Sequence, residues 1–260
     1  MDWGICTQAA NVAKVLDAKI EFVEEHVQNF LMPEKSDADF AKTLEIVKAS
    51  PLPVPASNCF LPATLKCTGP MIDTPRLLKY ADTAFARAKL VGMSIIVFGS
   101  GGARQIPDGF AKTTAQQQFI DLLKQMGPIA KKHDVTIVVE PLNRGECNFV
   151  NTLIEGADIT RAVGHPNVRL LADLFHMLRN EEDPDDILKV GDLLAHTHVA
   201  ERETRSAPGV KGDNFRPFLK NLKKVGYDKR MAIEVGGWVK DIQSDSPAAV
   251  AELKKQWSEA

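Results

Sequence analysis

Eight times along this chain a short apolar run gives way to a stretch whose apolar residues recur three or four apart. That alternation limits the fold more than any other feature. The expected strands are Trp3 to Thr7, Lys19 to Val27, Pro51 to Phe60, Ser94 to Phe98, Val135 to Val139, Val168 to Ala172, Leu193 to Val199 and Met231 to Ile233. Val135 to Val139 is β-branched and apolar except at Thr136, the composition of a strand buried on both faces. Between the strands lie helical faces: Val12, Val15 and Leu16 within Asn11 to Ala18; Phe40, Leu44 and Val47 within Asp37 to Ser50; Leu78, Ala81, Phe85 and Ala88 up to Gly92. The pattern continues with Phe119 to Ala130, kinked at Gly127-Pro128, then Leu153 to Val163, Asp185 to Leu194 and Phe215 to Val225. Thr74-Pro75, Asp183-Pro184 and Ser246-Pro247 read as helix openings, a capping residue followed by proline. Eight such units in 260 residues, about 32 residues each, suit one closed α/β barrel, a (β/α)8 or TIM barrel forming a single domain over residues 1–260.

Where the apolar runs stop is as informative as where they lie. The fifth ends at Glu140, the sixth at Asp173, the seventh at His198 and the eighth at Glu234. A carboxylate closing one buried strand is ordinary, but a (β/α)8 barrel carries its active site at the C-terminal strand ends, and four of them here offer a metal-ligating side chain. Pro141 has no N–H for the ladder, so the chain leaves the sheet after Glu140 into a loop bearing Asn143, Arg144 and Glu146. His196 and His198 are two apart on a strand and face the same way, one a layer deeper than the other. In Asp173-Leu174-Phe175-His176 the imidazole follows the strand-end carboxylate by three residues, within reach of a substrate above a metal. Three carboxylates with one imidazole form a hard, oxygen-rich set that favours Mn²⁺, then Mg²⁺, with Co²⁺ and Zn²⁺ as the other divalent candidates.

Charge and cysteine usage exclude other classes. Lys plus Arg number 32 and Asp plus Glu 34, a net charge of -2 without any basic block, so no electrostatic footprint for nucleic acid is present. Cys6, Cys59, Cys67 and Cys147 lack metal-type spacing and read as reduced thiols of a cytoplasmic protein. Neither a signal peptide nor a membrane span is expected from Met1 to Cys6 or from any apolar run. Gly99 to Gly102 with Arg104 read as a tight turn in preference to a phosphate cradle, and His26, His133 and His165 as structural or surface residues.

Taken together, Glu140-Pro141-Leu142-Asn143-Arg144 with Glu146, Asp173-Leu174-Phe175-His176-Met177, His196-Thr197-His198-Val199-Ala200-Glu201, Pro208-Gly209, Gly226-Tyr227 and Ile233-Glu234 resemble the xylose isomerase-like barrel superfamily. Within it they look like the ketose 3-epimerases acting on tagatose, psicose and related sugars, with Leu174 and Ala200 as departures. The resemblance covers nearly the whole chain. It implies one divalent metal held by Glu140, Asp173, His198 and Glu234, with Glu140 and Glu234 as the acid/base pair. It also implies sugar contacts from Glu146, His176 and an arginine after His198, Arg205 or in another loop register Arg202. A homodimer or homotetramer is implied as well. The expected reaction is epimerisation of a ketose at C3 through an enediolate. The alternatives are an aldose-ketose isomerase of the hydroxypyruvate isomerase kind, a keto-inositol dehydratase and, more remotely, an apurinic endonuclease-like phosphodiesterase.

Overall fold

A computed structural model describes all 260 residues. Its eight strands are β1 (Asp2–Cys6), β2 (Phe22–His26), β3 (Ala56–Asn58), β4 (Ile95–Phe98), β5 (Thr136–Val139), β6 (Val168–Asp173), β7 (Leu194–Val199) and β8 (Arg230–Ile233). Each pairs in parallel with the next and β8 pairs with β1, so the sheet closes and leaves no edge. The helices are α1 (Val12–Val15), α2 (Asp37–Ala49), α3 (Thr74–Leu90), α4 (Gly101–Arg104), α5 (Lys112–Lys132), α6 (Leu153–Val163), α7 (Leu174–Arg179), α8 (Asp186–Val190), α9 (Arg216–Lys224) and α10 (Ile242–Glu259). Most of the apolar core lies between barrel and helices, where Ile96, Phe98, Ile137, Val139 and Leu170 point outward against Phe85, Phe119 and Leu153. The opposite strand faces fill the barrel. Ala56, Ile95, Val97, Val138 and Leu171 form a small cluster there, and Phe22 fills the room left by Gly4, whose added Cβ would lie 2.3 Å from its ring.

Several boundaries differ from those expected, each because a better local partner exists. The first long exposed-face helix after Gly69-Pro70 is capped by Asp73, whose carboxylate accepts from the Arg76 N–H at 3.1 Å, so Thr74 and Pro75 are its first two residues. Asp241 caps α10 by accepting from Ser244 N–H at 2.9 Å, which places Ser246-Pro247 a turn inside that helix. The expected Asp185 to Leu194 helix contracts to α8 and a 3-10 turn over Gly191–Leu193, because Leu194 already belongs to β7. β3 is only three residues long, as Pro51, Pro53 and Pro55 withhold donors from its entry. α5 runs on through Gly127-Pro128. A Cβ at Gly127 would sit 2.7 Å from His165, so the glycine there admits that ring against the helix.

Candidate metal centre and active site

The inward side chains of β5 to β8 alternate with the outward ones, so the residues two positions past Val138, Leu171, His196 and Ala232 are again inward. They are Glu140, Asp173, His198 and Glu234. One ligand atom from each lies within 4.8 Å of all the others. His198 is at the centre: its Nδ1 is 3.2 Å from Glu140 Oε1 and 3.2 Å from Glu234 Oε2. Each carboxylate-bearing residue has a local anchor. The buried Arg104 guanidinium donates to the Phe98 carbonyl at 3.1 Å and the Glu140 carbonyl at 2.9 Å, tying together the ends of β4 and β5. Gly99 has no side chain because there is no room for one: a Cβ would lie 2.1 Å from Glu140 Oε2. Asp173 accepts from the Phe175 N–H at 2.8 Å, so it ends β6 and caps α7 at once. Asn58 Nδ2 donates to Glu234 Oε1 at 2.9 Å.

Sequence reasoning missed the layer beneath. Glu24 on β2 is fully buried inside the barrel, with one oxygen 2.7 Å from His196 Nε2 and the other 3.0 Å from His198 Nε2. A carboxylate only accepts, so both imidazoles present Nε2–H to it, and Nδ1 of His198 is the nitrogen turned towards Glu140 and Glu234, where it could ligate an ion. In the sequence Glu24 is one of two adjacent glutamates on β2, with no local signal that it is the one turned inward. Its neighbour Glu25 points the other way and accepts from the Ala9 N–H at 2.5 Å.

The expected sugar-contacting residues surround this centre. His176 lies on α7 and is buried. Its Nδ1 accepts from the Asn143 N–H at 3.1 Å, while Nε2 has no hydrogen-bond partner and stands 3.5 Å from Asp173 Oδ2. Asn143 Nδ2 also reaches Glu146 Oε1 at 2.8 Å. Arg205 pairs with Glu234, approaches Asp173 Oδ2 at 3.5 Å and Glu146 Oε2 at 3.8 Å, and lies 4.7 Å over the Phe175 ring. Arg202 is exposed, so Arg205 is the arginine that reaches the site. The cavity at this centre has a volume of about 400 Å³ and is lined by Glu140, Glu146, His176, Arg205 and Glu234 together with Asn58.

Burial and crowding perturb these groups in opposite directions. Burial pushes Glu140 up, and pushes Asp173 up to about 6 even though Arg205 opposes it. Burial also acts on Glu234, but the His198 and Arg205 charges outweigh it and hold the carboxyl well below the usual range. Glu24 falls to about 2 because His198 and His196 overcome the same burial. Burial draws His176 down to about 4, so the ring is neutral and its proton sits on Nε2, the nitrogen that the Asn143 bond leaves free. Cys59 is pushed up to about 12 by burial and nearby carboxylates, and it lines the cavity as a thiol.

The donor chemistry fits a hard divalent ion. Glu24, Glu140, Asp173 and Glu234 crowd around the His198 imidazole and the Arg205 guanidinium, an excess of negative charge in a buried place. Gly99 to Gly102 do not form a phosphate cradle: Ser100 at φ 45° turns the chain into the single-turn α4, and Arg104 points inward onto carbonyls. No helix is long and apolar enough to cross a membrane, and all four cysteines are free.

Among curated proteins, the chain is 28% identical to D-psicose 3-epimerase of Enterocloster bolteae over 169 residues, 62% of this chain and 56% of that protein. It is 37% identical to D-psicose 3-epimerase of Agrobacterium fabrum over 101 residues, 38% of this chain and 35% of that protein. The matched segment thus spans about half the length of the first relative and about a third of the second. D-psicose 3-epimerase from Clostridium cellulolyticum H10, solved with D-tagatose, superposes with a TM-score of 0.85 over 99% of both chains at 19% identity, a likeness of fold. The family description xylose isomerase-like TIM barrel matches residues 12–256. A closed eight-stranded parallel barrel with helices around it is the architecture that description requires, and the chain belongs to the xylose isomerase-like TIM barrel family.

Proposed function

We propose that this protein is a divalent-metal-dependent sugar epimerase that inverts a ketose at C3. The observation that carries this reading is the placement of Glu140 and Glu234, from strands β5 and β8, each 3.2 Å from the same His198 nitrogen. Two carboxylates held on different sides of one small cavity can serve opposite faces of one carbon, one removing a proton and the other delivering one. Glu140, Asp173, His198 and Glu234 would hold the ion, Mn²⁺ by the hardness of the set. When bound, such an ion supplies positive charge against the negative charge that builds on the sugar oxygen as the α-proton leaves.

The chain's other residues bind and orient. His176, kept neutral by burial and accepting from Asn143 at Nδ1, presents Nε2–H towards the cavity as a donor to a sugar hydroxyl. Glu146 accepts from hydroxyls, and Arg205, lying over the Phe175 ring, donates to sugar oxygens while balancing the charge of Glu234. The relatives named as D-psicose 3-epimerases support the C3 assignment. The test is product analysis by NMR with a panel of ketohexoses and ketopentoses and added Mn²⁺. Appearance of the C3 epimer is expected; accumulation of an aldose makes the protein an aldose-ketose isomerase, and loss of water makes it a dehydratase.

A further inference from the structure

Glu201, just past β7, has no part in the chemistry above and is nevertheless fully buried. Its carboxylate accepts from the main-chain N–H groups of Gly209 at 2.8 Å, Gly212 at 2.9 Å and Asp213 at 3.3 Å, from Lys211 N–H, and from the Ser206 hydroxyl at 3.2 Å. No side-chain cation pairs with it; backbone dipoles satisfy the charge. All of these donors belong to the segment 206–213, so the loop between β7 and α9 is wrapped around this one side chain. The Glu201 N–H adds a bond to the Ser206 carbonyl at 2.8 Å, and the Arg202 N–H one to Asp213 Oδ2 at 2.5 Å.

The same loop delivers Arg205. Thr204 and Arg205 both lie in the left-handed region, at φ 57° and 51°, which side chains other than glycine adopt only when their surroundings enforce it. The enforcing contacts here are the Glu201 bonds on one side and the Gly236 N–H to the Arg205 carbonyl, at 2.9 Å, on the other. We infer that Glu201 is a positioning residue for the sugar site: its buried carboxylate locks the loop 201–213 in the one conformation that lays the Arg205 guanidinium between Phe175, Asp173 and Glu234. The inference rests on the reading of Arg205 as a sugar contact.

Glu201→Gln keeps the shape but turns one acceptor into an N–H₂ that faces N–H donors, so the loop should open more often. In the intact protein, trypsin cleavage after Arg202, Arg205 and Lys211 should accelerate on the order of tenfold, and kcat/KM for the ketose should fall on the order of tenfold or more, chiefly through KM. In an Arg205→Ala background the same substitution should change kcat/KM less than about twofold, because the group it positions is gone. Ser206→Ala, which removes the hydroxyl shared by Glu201 Oε2 and the Glu203 carbonyl but leaves the N–H donors in place, should move both readings the same way by less, and serves if Glu201→Gln does not fold. Unchanged trypsin sensitivity in both variants overturns the inference. So does an equal loss of kcat/KM with and without Arg205, the mark of a merely structural residue. If Arg205→Ala alone turns the ketose over like the wild type, the role given to Arg205 falls instead, and Glu201 then holds the loop without serving the sugar.

Discussion

Glu24 Oε1 lies 3.0 Å from His198 Nε2, on the side of the imidazole opposite Glu140 and Glu234. Its other oxygen holds His196 at 2.7 Å, so one carboxylate fixes two rings. An amide has a single acceptor oxygen and cannot serve both N–H groups, so Glu24→Gln frees one ring to rotate or to change tautomer. Affinity for Mn²⁺ should fall by about 10- to 100-fold, the usual effect of losing the partner behind a histidine ligand. Titration calorimetry with the metal alone reads this directly, and an unchanged affinity would remove Glu24 from the account.

Gly99 tests the placement of Glu140 without touching a ligand. Its alanine variant would set a methyl 2.1 Å from Glu140 Oε2, and the carboxylate must move. Displacement of about an ångström from a reacting position lowers turnover on the order of 10²-fold. Gly99→Ala should show that loss with an unaltered circular dichroism spectrum, since Gly99 follows the last residue of β4 and lies outside the ladder.

His176→Asn and Glu146→Gln should weaken use of the sugar while leaving the metal in place. Neither side chain offers a ligand atom to the cluster of Glu140, Asp173, His198 and Glu234. A rise in KM on the order of tenfold with full metal content by elemental analysis is the expected result. Loss of metal from either variant would make that residue a ligand.

Stability should carry a signature from Glu182, away from the site. One oxygen accepts from the Leu153 N–H at 2.7 Å, the other is buried without a partner, and burial pushes the carboxyl up to about 7 from an ordinary 4.5. The folded state therefore holds this proton more tightly than the unfolded chain. The stabilising effect is complete below 4.5 and is lost as pH rises through 7. Glu182→Gln cannot ionise and should exceed the wild type by about 2 kcal/mol at pH 8, after discounting for partial exposure, and match it at about pH 4. Thermal melts across that range are the check; parallel curves would contradict the shift.

The strand-end residues were legible because an apolar run that stops at Glu140, Asp173, His198 or Glu234 shows both the strand and its last inward position. Glu24 was not, since it stands in the middle of β2 beside Glu25, and nothing local tells which of the two faces inward. Asn58 ends a strand too short and too proline-rich to give a period. Asp241 and Ser246 are both good capping types, and only tertiary packing, which buries Ser246 completely, decides between them. The loop that brings Arg205 to the cavity depends on contacts with Glu201 and Gly236, several to tens of residues away, that no local pattern announces.

The central claim is that Glu140 and Glu234 act on opposite faces of one carbon. Turnover of the ketose in heavy water, followed by NMR, tests it most directly. The account predicts deuterium at C3 in both epimers, and a fall in turnover on the order of 10² or more for Glu140→Gln and for Glu234→Gln alike, with a smaller loss of metal affinity because three ligands remain. Deuterium at C1 with an accumulating aldose, or deuterium at C3 without inversion, would contradict it.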